Sequence, residues 1–139
     1  MIKADAGYRK LEGYHDSRLI SVVHYPEEMQ LDIKFQFVNE QYRTIQLYKC
    51  EIFRLHDFTS QNIVSRVMTF AGGNVDKQFI AERIRWATSL SDCSSYLQQD
   101  ALKKKVEIIS EGKVVLLIIE PSWGAELAAL SEGLNEVVE

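Results

Sequence analysis

The chain is poor in the residues that punctuate or cross-link a fold. It has two cysteines, two prolines, seven glycines, two tryptophans and three histidines in 139 residues. Two cysteines far apart, Cys50 and Cys93, exclude a disulfide-stapled mini-protein. Neither has a CxxC neighbour or a companion at zinc-site spacing, so both read as reduced thiols of a cytosolic protein. With so few prolines and glycines there is no inter-domain linker and no low-complexity segment, and 1–139 reads as a single domain. The longest apolar run is Val114 to Ile119, far short of the ~20 residues a membrane helix needs. Met1 to Gly13 carries Lys3, Asp5, Arg9, Lys10 and Glu12 and has no apolar core of a secretory signal.

A basic excess is missing too. Sixteen Lys and Arg stand against 20 Asp and Glu, a formal charge of −4. Nucleic-acid binding is driven largely by cations that displace counterions from phosphates, so nucleic acid is not the expected partner. The compact basic run Lys103-Lys104-Lys105 reads as a solvated lead-in to a strand.

What is present points to a sheet. Apolar residues make up 46% of the chain, enough for a self-sufficient core. Met29, Leu31, Ile33, Phe35 and Phe37 alternate with Gln30, Asp32, Lys34 and Gln36, the pattern of a strand with one buried face and one wet face. Arg18 to Tyr25 predicts a preceding strand that ends at Pro26-Glu27-Glu28, and Asn39-Glu40 predicts a turn. Tyr42 to Leu55 predicts one long strand with a bulge near Tyr48-Lys49, where the inward phase changes. Together these segments form a meander.

Thr59 to Phe70 fits a helix or a strand. Ala71-Gly72-Gly73-Asn74 is a loop, and Asp76 caps a helix to about Thr88 with Phe79, Ile80, Ile84 and Ala87 on one face. Val106 to Ile109 and Val114 to Ile119 predict a hairpin across Ser110-Glu111-Gly112-Lys113, its second strand buried on both faces and ended by Pro121. Leu127, Leu130, Leu134 and Val137 favour a C-terminal amphipathic helix, with an edge strand at Trp123 to Leu127 as the alternative. The expected class is α+β: a mainly antiparallel sheet, meander plus C-terminal hairpin, with one or two helices.

No complete catalytic motif is present. There is no G-x-S-x-G elbow, and Gly72-Gly73-Asn74 lacks the Lys and Ser/Thr of a phosphate loop. Cys50 falls mid-strand as a small core residue, and His24 reads as a strand residue. The dipeptides His15-Asp16 and His56-Asp57 invite one alternative, a metal-dependent hydrolase in which two imidazoles and two carboxylates meet. Their ordinary role is that Asp16 and Asp57 cap turns and the histidines are partly buried neighbours. HD phosphohydrolases share the dipeptide but add a further His and Asp on a helical bundle. Trp86 and Trp123 are of the type that anchors interfaces, and core packing at the sheet–helix boundary is their ordinary role.

Gly13-Tyr14-His15-Asp16-Ser17-Arg18-Leu19-Ile20 resembles the opening of a group of small bacterial β-rich proteins. Gln41 to Leu55, Asn62-Ile63-Val64 and Ile119-Glu120-Pro121-Ser122-Trp123-Gly124-Ala125-Glu126 are similar to later segments of that group. Some of its members are grouped as immunity proteins of bacterial polymorphic toxin systems. The resemblance implies a β-dominated domain, a strand after Gly124 and no catalytic residue set. The expectation is a cytoplasmic, non-catalytic protein-binding module without cofactor or metal, its partner a toxin. His15, Asp16, His56, Asp57, Trp86 and Trp123 are its candidate contact residues. A homo-oligomer with a purely structural role is the remaining class.

Overall fold

The computed structural model describes residues 7–90 and 94–139, so Cys93 lies outside the described residues. The elements run β1 (Gly7–Lys10), β2 (Arg18–Tyr25), β3 (Gln30–Gln36), β4 (Tyr42–Tyr48), β5 (Ile52–His56), β6 (Ile63–Ala71), α1 (Lys77–Ala87), α2 (Gln99–Ser110), β7 (Val115–Trp123), β8 (Glu126–Ser131) and β9 (Gly133–Val138). Every strand pairing is antiparallel. The order across the sheet is β5-β8-β7-β6-β2-β3-β4-β9, and β1 lies on β6 beside this path. The described residues are therefore mostly antiparallel sheet with two helices.

The meander forms as its alternation demands. Leu31, Ile33 and Phe35 are buried, while Gln30, Asp32, Lys34 and Gln36 take the other face. Met29 drops out of the alternation because it closes the preceding turn with φ +53° and stays exposed. The sheet curls so that β2-β3-β4-β9 faces β6-β7-β8-β5 across one core, which joins Leu31, Ile33, Phe35, Ile45, Leu47 and Leu134 to Val67, Leu117, Ile119, Leu127 and Ala129. A second core lies on the outer side of β6, β7 and β8. There Met68, Phe70, Leu116, Ile118, Ala128 and Leu130 meet Ile80 and Ile84 of α1 and Leu102, Val106 and Ile109 of α2.

Helix α1 starts and stops as expected. The Asp76 carboxylate accepts the Phe79 N–H at 3.2 Å, and Thr88 is the C-cap. The ambiguous Thr59 to Phe70 stretch becomes β6, a strand with one face in each core.

Several expectations are corrected. Tyr42 to Leu55 is two strands: Lys49 has φ +49°, and the chain turns a corner there, leaving β4 and joining β8 as β5. The phase change was real but marked a corner instead of a bulge. Val106 to Ile109 is not a hairpin strand but the last part of α2. Leu102, Val106 and Ile109 recur at helical spacing, and the expected hairpin turn is a helix stop. Gly112, at φ +76°, donates its N–H to Ile109 O and Lys113 donates to Ile108 O, the paired bonds of a Schellman cap. Lys103-Lys104-Lys105 consequently lies on a helix, with Lys105 bonded to Glu51.

The segment after Gly124 is two strands, not a helix. Leu127 and Ala129 enter one core, and Ala128 and Leu130 the other, so burial on both faces mimics a helical apolar stripe. β8 is also no edge, being paired with both β5 and β7. Finally, Pro121 does not end β7. It sits opposite Val64 where the ladder is irregular, a place where a missing N–H is tolerated.

Ile109 is fully buried between α2 and the sheet. Ile109→Ala is expected to cost about 2–5 kcal/mol in urea unfolding with an unchanged denaturant slope.

Candidate functional site

The two His-Asp dipeptides lie on different elements. Asp16 and Asp57 adopt φ +63° and +60°, a left-handed conformation that aspartate tolerates better than most residues. His15 places Nδ1 3.0 Å from Ser65 O and Nε2 3.5 Å from its own neighbour, Asp16 Oδ2. His56 ends β5, with Nδ1 3.3 Å from Asp57 Oδ2 and its ring edge-on to Trp86. The carboxylates thus meet the adjacent imidazoles, and His15 is exposed where partial burial was expected. Among the described residues no group of three or more His, Cys, Asp or Glu is arranged to hold a metal ion. The four-residue metal site therefore has no geometric support.

What converges instead is a loop end. Asp16 N–H donates to Val64 O, Val64 N–H to Ser17 O and Leu19 N–H to Asn62 O, tying the 13–19 segment to the start of β6. Asn62 is buried and organises the rest. Its Oδ1 accepts the N–H groups of Thr59 at 2.9 Å and Ala125 at 3.1 Å, and its Nδ2 donates to Thr59 O. Gly124 makes this possible. At φ +84° it has no side chain to strike Asn62, whereas a Cβ there would lie 2.6 Å from Asn62 Oδ1 and 2.8 Å from Gln61 O. Three segments quoted above for the family resemblance therefore meet in one hydrogen-bonded network.

Large apolar side chains stand out around that network. Trp123 is 66% exposed, Phe58 48% and Ile20 37%. Ile63 is the register partner of both Trp123 and Arg18, so the three residues form a row across β7, β6 and β2 spanning about 10 Å. Ile20 and Phe58 share with Arg18 a depression of about 330 Å³. Sequence reasoning found Trp123 but missed Phe58, Ile20 and Asn62. Phe58 did carry a signal, as a lone aromatic in the polar stretch Asp57 to Asn62.

Other candidates are occupied. The Trp86 ring lies under two guanidinium groups, Arg54 at 4.4 Å and Arg83 at 4.6 Å, and Arg83 also pairs with Glu126 at 2.9 Å. These contacts tie α1 to β5 and β8. Among the described residues no helix covers the outer face of β2-β3-β4-β9, and its polar groups serve one another. Gln30 bonds Asp32, Tyr48 bonds Gln46, Arg18 bonds Gln36, and Lys34 pairs with Glu139. This is a wet face of an antiparallel sheet. His24 lies edge-on to Phe53 across the fold.

Two interior groups titrate late. The Tyr14 hydroxyl, wholly buried, donates to Glu136 at 2.5 Å, and Arg43 lies 3.7 Å from the same carboxylate. Burial, then the Glu136 hydrogen bond and charge, raise the phenol above its ordinary range, against an opposing effect of Arg43. Burial pushes the Cys50 thiol up to about 12, so it remains a neutral core residue at physiological pH.

No protein-family model matches the chain, and no curated protein matches it in sequence. A solved structure, the crystal structure of an uncharacterized protein from Neisseria gonorrhoeae, is similar in fold with a TM-score of 0.51. The two are 11% identical, and the match covers 93% of this chain and 95% of that one. At that identity the likeness shows a shared fold.

Gly124→Ala should cost about 2 kcal/mol or more, read as a lowered unfolding midpoint, because it combines a left-handed φ with a backbone clash. The titrations give a second expectation. Both groups have folded values above their unfolded ones, so their stabilisation is complete below about pH 9; it is lost from about pH 9 toward about 12 for Cys50 and from about pH 10 upward for Tyr14. Stability should fall above about pH 9 with a slope of up to about 1.4 kcal/mol per pH unit per group. Cys50→Ala should flatten that profile in urea unfolding measured across the range.

Proposed function

We propose that the protein is a non-catalytic protein-binding module and, within that class, an immunity-type protein that neutralises a toxin in the cytoplasm. The observation that carries the reading is the loop end: Phe58 and Ile20 line a depression, Trp123 stands exposed in the same cross-strand row as Arg18 of its wall, and the Asn62 network ties the backbone there. Binding energy concentrates in a few aromatic anchors, and anchors already fixed in place lose little entropy on association. The family resemblance supports the immunity role, since its segments build this same end. The net charge of −4 supports a basic partner, because complementary charge speeds encounter. Among the described residues no helix is long and apolar enough to cross a membrane.

Affinity capture from the native host, followed by calorimetry with the recovered partner, tests the proposal. Co-expression should protect cells from that partner's toxicity. Trp123→Ala is expected to weaken binding by about 2 kcal/mol or more, roughly thirtyfold in Kd, with the melting curve unchanged. Phe58→Ala should act in the same direction. Failure to recover any partner under several growth conditions, or self-association alone, would replace this reading with a structural one. Wild-type affinity in both variants would move the interface elsewhere.

A further inference from the structure

The two helices bury one side each against the sheet and leave a trough between their outer sides. On α1, Lys77, Ala81 and Arg85 follow one another at one-turn spacing and form one wall, a ridge about 12 Å long. On α2 the other wall carries Leu102, Lys103 and Val106. The trough encloses about 340 Å³, within the size range of ligand-binding clefts. Its floor is apolar and its rim is cationic, with Glu107 as the acidic group on the rim.

That charge pattern runs against the rest of the molecule. The chain is net −4, yet this trough gathers three cations against one carboxylate. Among the described residues no ion pair engages Lys77, Arg85 or Lys103, which leaves all three cations available to an anionic ligand. Lys77 occupies the first position of α1, and no acidic residue occupies the first turn. The Asp76 carboxylate that caps this end already meets the helix dipole, and Lys77 adds a cation to the rim of the trough.

We infer that this trough is a second docking surface, for an acidic amphipathic segment of a partner protein. One or two leucine-type side chains would enter between Ala81, Leu102 and Val106, and flanking Asp or Glu would meet Lys77, Arg85 and Lys103. A ridge of two turns matches the apolar face of a short helix with anchors at i and i+4. The surface is separate from the loop end, and the inference does not depend on the toxin reading.

The probe is a fluorescein-labelled helical peptide with leucines at i, i+3, i+4 and i+7 and glutamates between them, titrated with the full-length protein and followed by anisotropy. Saturable binding is expected, weakened by raising NaCl to about 0.5 M. The double variant Lys77→Glu/Lys103→Glu should lower affinity by about tenfold or more. Ala81→Gln, which fills the trough without changing charge, should also weaken binding while Phe58 and Trp123 remain intact. Melting curves of both variants confirm that they fold. The same peptide with lysine in place of glutamate should not bind. Absent binding, or binding indifferent to both variants, overturns the inference. Sedimentation with phosphatidylcholine–phosphatidylserine vesicles in the absence of peptide binding also overturns it, in favour of a lipid surface.

Discussion

The structure depends on the double burial of β7. Val115, Leu117 and Ile119 face the core enclosed by the curled sheet, while Leu116 and Ile118 face the core under the helices. Each large apolar side chain buried in this way contributes roughly 1.5–3 kcal/mol, and a slip of one residue would exchange the two sets. β7 therefore fixes the register of β6 and β8 together. The sheet cannot be remodelled on one face without disturbing the other. The small residues of β8 follow from this constraint, since Ala128 and Ala129 let a helix on one side and a sheet on the other approach the same strand.

From β7 the constraint passes to the loop end. The strand continues through Pro121 to Trp123, so the position of Trp123 is set by the strand that divides the two cores. Gly124 then turns the chain into β8 under the Asn62 carboxamide, which in turn holds the loop carrying Phe58. Exposed aromatic residues on loops usually lose entropy when a partner orders them. Here hydrogen bonds have ordered much of that backbone beforehand. The same loop end contains His15 and Asp16, yet their geometry is that of local turn partners.

The two sides of the molecule differ in kind. Helices cover β6, β7 and β8, and a self-satisfied polar ladder covers β2, β3 and β4. On the wet side polar side chains bond one another within strands, as Gln30 with Asp32 and Tyr48 with Gln46, and across them, as Arg18 with Gln36. The helix side ends in a trough because two helices packed on a sheet touch each other only along a line.

Local pattern was sufficient where one periodicity had no rival. The alternation from Leu31 to Phe35, the Asp76 cap with its apolar face, and the run from Val114 to Ile119 each determined an element and its buried side. The candidate site was legible in part: Trp123 could be singled out as a residue, Ile20 and Asn62 only as members of longer segments, and Phe58 not at all. Their roles arise from contacts between residues about 60 positions apart, such as Asn62 with Ala125. Tertiary structure decided the rest. Val106 to Ile109 and Leu127 to Leu130 are apolar runs too short to distinguish a period of 2 from one of 3.6, and burial on one side or both sides chose between them. A corner at Lys49 looks like a bulge until the partner strand is known. The amino-acid sequence alone determined a sheet-centred core of mildly acidic charge; long-range pairing determined which loops meet and which side chains are left exposed there.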